Sequence, residues 1–347
     1  MSRPDLDVWL VPHPPALAAA VRAVARGCAD IAAAARRGAL DSLHQATGSG
    51  NASGESQTGL DLYADGQLAS ALAACPAVAG WVSEEQAEPV ASPWHARQGE
   101  YLVVYDPLDG SSNIEANVGV GSIFSVLSHP LRSAPPSTAA FLQPGLRQRA
   151  AGYVLYGPST VLVLSLGQGV SLFTLDPESG RWLLTREGVT VKPVSSEFAI
   201  NASNQRFWDK PVQRYVAECV AGESGPRGRD FNMRWIASLV AEVHRIFTRG
   251  GVFLYPRDCR QPQRPGRLRL LYEAAPMAFL MQQAGALAVN GSSPLLEVVP
   301  DTLHQRVPVI LGSREEVERI VRYHADPNEN VWWPLFNHRS LFVQPHA

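Results

Sequence analysis

The 347-residue sequence holds only four cysteines, Cys28, Cys75, Cys219 and Cys259, scattered and without a CxxC pair. That spacing supports no disulfide framework, and a reducing cytosol is the simpler expectation. Polybasic runs are missing too: 30 Lys and Arg face 32 Asp and Glu, a net charge of −2. This balance argues against nucleic acid or an anionic membrane as the main partner. The first residues, MSRPDLDVWLVPHPPAL, lack the apolar core of a secretory leader, so a cytoplasmic location is expected. The most apolar stretch, YVLYGPSTVLVLSLGQGVSLFTL, is broken by Gly157, Pro158, Gly167, Gln168 and Gly169, which makes it a string of strands and not a membrane span. The histidines offer no Ser-His-Asp order, and His44, His304 and His338 are expected to be structural or on the surface.

What is present describes a globular chain, 46% hydrophobic and 18% charged, long enough for a substantial core. Residues 15–38 are alanine-rich with charges at helical spacing and predict a helix. HQATGSGNASGESQTG reads as a loop, and LDLYADGQLASALAAC as a second helix. VAGWVSEE, YLVVY and GSIFSVLS read as strands, and residues 151–188 as a meander. Beyond a linker at KPVSSE, the pattern predicts a helix over NMRWIASLVAEVHRIFTRG and a strand at GVFLYP. A helix over AAPMAFLMQQAGA, a strand at VPVILGS and a helix capped by Ser313 complete it. The expected class is α/β, in stacked layers of helix and sheet. The division falls into residues 1–192, an α+β half, and 193–347, an α/β half.

Three apolar runs end in acids. VSEE carries Glu84 and Glu85, YLVVYDPLDGSSN carries Asp106 and Asp109, and RLRLLYE carries Glu273. Any one has an ordinary explanation: a solvated Asx turn, a surface pair, or an acid at a helix start. Together they argue for a hard cation, because the ends of adjacent strands converge and Mg²⁺ takes oxygen ligands. Asp106, Asp109 and the Leu108 carbonyl flank one turn, where Pro107 restricts φ. Gly110, Ser111 and Ser112 follow at a helix start or nest, where backbone N–H groups bind phosphate.

These blocks, together with AAGYVLYGPSTVLV, GGVFLYP, GRLRLLYEAAPMAFLMQQAGA and LHQRVPVILGS, resemble class 1 fructose-1,6-bisphosphatase over nearly the whole chain, in motif order. The resemblance implies a layered αβαβα sandwich of the metal-dependent sugar/inositol phosphatase type, commonly assembled as a homotetramer. It implies hydrolysis of the 1-phosphate of fructose 1,6-bisphosphate by metal-activated water, with sedoheptulose 1,7-bisphosphate as the rival substrate. It leaves the pathway, sugar synthesis or carbon fixation, open. Glu84, Asp106, the Leu108 carbonyl, Asp109 and Glu273 match metal-ligand positions for two or three Mg²⁺ ions, with Mn²⁺ as a substitute. Glu85 and Asp61 match positions that act on the attacking water. Asp109, Gly110, Ser111 and Ser112 match the site of the scissile phosphate. Asn201, Tyr255 and Arg267 match positions around the sugar and its retained 6-phosphate, and Arg234 one that reaches a neighbouring subunit's active site.

The chain departs from the family pattern at several positions. Glu55 stands for an aspartate, Thr58 and Gly59 for lysines, Arg267 for a lysine, and Asn204 and Trp235 for tyrosines. Arg for Lys keeps the charge but changes the geometry. Many members bind AMP near the first helix, through a lysine before the DPLDG strand and an arginine after the next. Here Glu100 and Ser128 occupy those places. Losing two cations removes charge-assisted contacts to a nucleotide phosphate. Inhibition by AMP should therefore be weak or absent, and a titration that reached half-inhibition at low micromolar AMP would contradict this.

Overall fold

The computed structural model describes residues 3–326, apart from 42, 44, 52, 53, 55, 96, 132, 133, 261, 262, 264 and 265. Glu55, His44 and His338 lie outside the described residues.

The N-terminal part opens with a short helix α1 (Leu6–Leu10) and the long α2 (Pro15–Arg37). Pro15 starts α2, where a missing N–H costs nothing, and Gly38 follows its end at φ 56°. The segment read as a plain loop is partly paired: β1 (Ala46–Gly50) and β2 (Ser56–Thr58) form an irregular antiparallel ladder. Small polar residues carry no pattern that reveals such pairing, since backbone groups alone make it. The strand pair leads into α3 (Gly59–Ala73), whose Thr58 and Asp61 form a reciprocal capping box.

Eight strands then build the large sheet: β3 (Val78–Ser83), β4 (Val90–Ala91), β5 (Tyr101–Asp109), β6 (Val120–Ser128), β7 (Gln148–Tyr156), β8 (Thr160–Ser165), β9 (Ser171–Leu175) and β10 (Trp182–Arg186). Their order is β10-β9-β8-β7-β6-β5-β3-β4. Among the described residues of this sheet only β3 and β5 pair in parallel; the meander expected over residues 151–188 is there, and it extends back through β6 to β5. β3 and β5 are buried along their whole length, which explains why neither alternates in sequence. A one-turn helix α4 (Thr138–Phe141) interrupts the run between β6 and β7.

The second sheet orders β12 (Asn232–Met233), β11 (Glu197–Ile200), β13 (Val252–Tyr255), β17 (Val309–Gly312) and β15 (Leu287–Val289). A small ladder joins β14 (Leu268–Arg269) to β16 (Arg306–Val307). α2 and α3 pack on one face of the large sheet. The helices α6 (Leu239–Arg249) and α7 (Ala275–Gln283) lie between the two sheets. The helices α5 (Lys210–Val220) and α8 (Arg314–Ala325) cover the far face of the second sheet. The layers run helix, sheet, helix, sheet, helix, as the sequence led one to expect.

Three local expectations need correction. The helix expected over residues 232–250 begins only at Leu239: Asn232 and Met233 join a sheet edge, Ala237 takes φ 63°, and the Ser238 side chain caps the first turn. The run RLRLLYE is not a strand. It leaves β14 after Arg269 and winds through a single π-helical turn, Leu270–Ala274, so Glu273 sits on a helical turn leading into α7. Ser313 does hold the position before α8, but its side chain makes no cap. The hydroxyl instead donates to the Lys192 carbonyl at 2.7 Å and accepts from the Gly251 N–H at 3.0 Å.

Gly121, opposite Asp109 in the β5–β6 ladder, is packed between the neighbouring strand β7 and helix α6. A Cβ there would lie 2.1 Å from the Val154 carbonyl oxygen and 2.9 Å from Val240. Gly66, exposed in α3, has open space around the same position. Gly121→Ala should lower the melting temperature by about 4 °C or more, whereas Gly66→Ala should raise it by about 1–3 °C through helix propensity. Thermal melts of the two variants beside the parent check both signs.

Candidate active site

Asp106 and Asp109 are three residues apart on one strand, and a regular strand would send them to opposite faces. The β5–β6 ladder prevents this. Asp106 pairs with Ile123 and Asp109 with Gly121, so three steps on β5 match two on β6. The extra residue is a β-bulge, and it returns both carboxylates to one side. Glu273 arrives from the turn before α7, and oxygens of Asp106, Asp109 and Glu273 all lie within 4.8 Å of one another. The parallel pairing of β3 with β5 sets Glu84 beside Asp106: the Glu84 N–H donates to the Tyr105 carbonyl at 3.1 Å. The structure thus brings together all four acids that the sequence proposed as ligands.

All four are buried, and their charges repel. Burial first, then Glu84, Asp109 and Glu273, pushes the Asp106 carboxyl well above the usual range. Burial and Glu84 do the same to Glu273. Asp109 is raised by burial to about 6, against hydrogen bonds that favour its charge. Those bonds come from the start of α6, where the Val240 N–H (2.9 Å) and the Ser238 hydroxyl (3.1 Å) donate to Asp109 Oδ2. Leu108 donates its N–H to Asp106 Oδ1 at 2.9 Å, which pins the bulge.

One buried cation answers part of this charge. Arg269 is 3% exposed; its guanidinium pairs with Glu84 and its backbone N–H donates to Glu273 Oε2 at 2.6 Å. Reading RLRLLYE for its terminal acid missed this arginine, although a charge inside an apolar run was the visible signal. Three buried carboxylates with converging oxygens are a donor set suited to a hard divalent ion.

Beside the acids, Gly110 takes the left-handed conformation, φ 78° and ψ 21°, with Ser238 only 2.9 Å from where a Cβ would stand. Gly110 opens the 3-10 turn Ser111–Asn113. The first N–H groups of such a turn have no partner within it and point outward, a cradle for an anion. Asp61 lies close by. Its Oδ2 accepts from the Thr58 N–H (2.6 Å) and hydroxyl (2.8 Å), and Ser111 also bonds to it. Burial nevertheless raises its pKa. Glu85 is raised to about 7, chiefly by burial, while the Gln57 amide that donates to it works the other way. Asp65 completes this wall, accepting from the Tyr105 hydroxyl at 2.9 Å and the Gln86 amide at 2.7 Å. Neither Gln57 nor Asp65 stood out in the sequence, since polar residues beside a helix start are ordinary.

A second pocket opens at the carboxyl ends of the parallel β11 and β13. Asn201, Asn204, Trp235, Tyr255, Asp258 and Arg267 line it, which unites the three residues assigned to the sugar side. Arg234 is not on that lining. It is exposed, with Nε 3.8 Å from Glu197. His304 is half-buried against Tyr272 and bonds the Gln86 carbonyl at 3.0 Å, a structural role as expected.

Comparison with known proteins gives the family and the fold. Residues 14–187 match the family model "Fructose-1-6-bisphosphatase, N-terminal domain" and residues 191–325 match "Fructose-1-6-bisphosphatase, C-terminal domain". The chain is 67% identical over 347 residues to a fructose-1,6-bisphosphatase class 1 of Methylibium petroleiphilum, covering 99% of each. It is 52% identical over 321 residues to the class 1 enzyme of Hydrogenophilus thermoluteolus, covering 92% of this chain and 89% of that one. The holo crystal structure of Leishmania major fructose-1,6-bisphosphatase superposes with a TM-score of 0.88 at 33% identity, covering 94% of this chain and 100% of that one. Its apo form gives 0.82 at 31% identity, with the same coverage. On motifs, fold and kinship alike, this chain belongs to the class 1 fructose-1,6-bisphosphatase family.

Proposed function

We propose that the protein hydrolyses the 1-phosphate of fructose 1,6-bisphosphate, releasing fructose 6-phosphate and phosphate. The observation that carries the reading is the β5 bulge, which gathers Asp106 and Asp109 with Glu273 beside the Gly110–Ser112 cradle. Asp106, Asp109, Glu273, Glu84 and the Leu108 carbonyl are the groups that would hold Mg²⁺, as two or three ions, with Mn²⁺ as a substitute. Such ions supply charge neutralisation at the phosphoryl group and a lowered pKa for the attacking water. Gly110, Ser111 and Ser112 bind the scissile phosphate through backbone N–H groups and hydroxyls. Glu85 and Asp61, both raised by burial, are suited to take the proton from that water. The second pocket, with Asn201, Tyr255 and Arg267, receives the sugar and its 6-phosphate.

The resemblance also supports a homotetramer, with Arg234 reaching a neighbour's site, and a chain divided near residue 192. The large sheet lies within residues 78–186 and the second within 197–312. Four free cysteines support a cytoplasmic enzyme. Among the described residues no helix is long and apolar enough to cross a membrane.

Phosphate release from fructose 1,6-bisphosphate should need Mg²⁺ and stop with excess chelator. Groups behind a metal ligand already cost 10–100-fold, so Asp109→Asn should cost about 100-fold or more in kcat/KM. Undiminished turnover in that variant would break the site assignment. Running sedoheptulose 1,7-bisphosphate in parallel separates the two sugar substrates.

The buried acids also predict a pH dependence of stability. Asp109 rises from 3.8 to about 6 in the fold, and Asp106 and Glu273 shift the same way. A carboxyl with a raised folded pKa contributes stability below its unfolded value and loses it as pH climbs through the folded one. Metal-free protein should therefore melt lower at about pH 8 than at about pH 5, and Mg²⁺ should raise the melting temperature more at the higher pH. Melts with chelator and with Mg²⁺ at both pH values test this, and equal Mg²⁺ shifts would refute it.

A further inference from the structure

The second pocket has a cationic edge that no motif announces. Asn204 lies on the 3-10 segment Ala202–Phe207, and Asp258 on the chain that follows β13. Arg260 joins the two walls. Its Nε lies 3.0 and 3.1 Å from the two Asp258 oxygens, and its Nη2 donates to Asn204 Oδ1 at 3.1 Å. The guanidinium is centred 4.0 Å above the Phe207 ring. The backbone repeats the join: Cys259 donates its N–H to the Phe207 carbonyl at 3.0 Å, and Trp208 bridges to Asp258.

Asp258 serves two arginines, since Arg267 Nη2 is 3.7 Å from its Oδ2. Hydrogen bonds from Arg260 hold the Asp258 carboxyl down to about 2, so it stays ionised at neutral pH. Two guanidiniums against one carboxylate leave one positive charge at the rim. Donors remain as well. Among the described residues, Arg260 Nη1 and the Arg267 side chain donate no hydrogen bond. Other groups on the lining offer less. The Asn201 and Asn204 amides, whose Oδ1 atoms accept from Ser203 and Arg260, the Tyr255 hydroxyl and the Trp235 indole N–H are neutral donors and bring no charge to a dianion. A dianionic phosphate, with three acceptor oxygens, matches a paired, pre-positioned set of arginine forks.

We propose that Arg260 is a specificity-determining residue that, with Arg267, holds the phosphate distal to the bond being cut, Asp258 orienting both guanidiniums. The inference rests on the reading of this pocket as the sugar 6-phosphate site. It separates Arg260 from the residues that act on the scissile phosphate, because its hydrogen-bond partners Asn204 and Asp258 both line the second pocket, with Arg260 itself at the edge behind them.

The test uses the full chain with Mg²⁺ and compares fructose 1,6-bisphosphate with fructose 1-phosphate, which keeps the scissile group and lacks the distal one. Arg260→Ala should raise KM for the bisphosphate about tenfold, the loss expected of a charge-assisted contact. Its kcat, and its kcat/KM on fructose 1-phosphate, should stay within about twofold. Inhibition by fructose 6-phosphate should weaken in the same proportion. Arg260→Lys, which keeps the charge and loses the fork, should fall between parent and alanine variant, and it serves if the alanine variant folds poorly. Equal losses on both substrates, or none, would overturn this inference while leaving the phosphatase reading intact. A parent enzyme inactive on both substrates would overturn that reading, and this inference with it.

Discussion

The structure turns on like charge held where water is scarce. Asp106, Asp109 and Glu273 crowd within 4.8 Å, and Glu84 sits beside them, all buried. Such a cluster is costly in isolation, and only opposite charge makes its ionised form tolerable. Arg269 supplies a fixed counter-charge, and the carboxylates that remain are a donor set suited to a metal ion. Because the acids are held by a ladder, a bulge and a helix start, they cannot swing apart to relieve the repulsion. Affinity for a cation is therefore a consequence of how firmly the anions are placed.

The layered architecture is what places them. β3 and β5 run parallel near one edge of the large sheet, so Glu84 and Asp106 leave it side by side. α6 lies between the sheets and aims its N-terminus at Asp109, where the helix dipole favours negative charge. The turn before α7 brings Arg269 and Glu273 across from the C-terminal half. Close approach between layers is bought with small residues, and Gly121 stands where a methyl group would strike the β7 backbone. The same stack leaves the second pocket at the ends of β11 and β13, on the other sheet from the acids of β5.

Much of this was legible beforehand. Apolar runs of strand length, an alanine-rich helix and the breaks at Gly157–Pro158 and Gly167–Gly169 gave the elements, because burial on both faces and turn chemistry are written locally. The reading failed where local pattern and tertiary need diverge. Leu270–Ala274 looks like a continuing strand, yet it winds into a π turn that carries Glu273 toward the other acids. Asn232–Arg234 carries a helical pattern but pairs with a sheet edge. Ser313 has the chemistry of a cap and spends its hydroxyl on Gly251 and Lys192. Gln57, Asp65, Arg260 and Arg269 passed unnoticed because an ordinary polar residue acquires meaning only from its neighbours.

The sequence by itself determined the chemical inventory: which acids exist, that Gly110 and two serines follow Asp109, and that apolar segments are enough to cover two sheets. It carries those facts because residue type and near spacing are properties of the chain alone. Only the tertiary structure decided that Asp106 and Asp109 share a side, that Arg269 stands among carboxylates, and that Arg260 ties two walls together. Those facts depend on a ladder register and on contacts between residues from 56 to 185 positions apart, which no local pattern encodes.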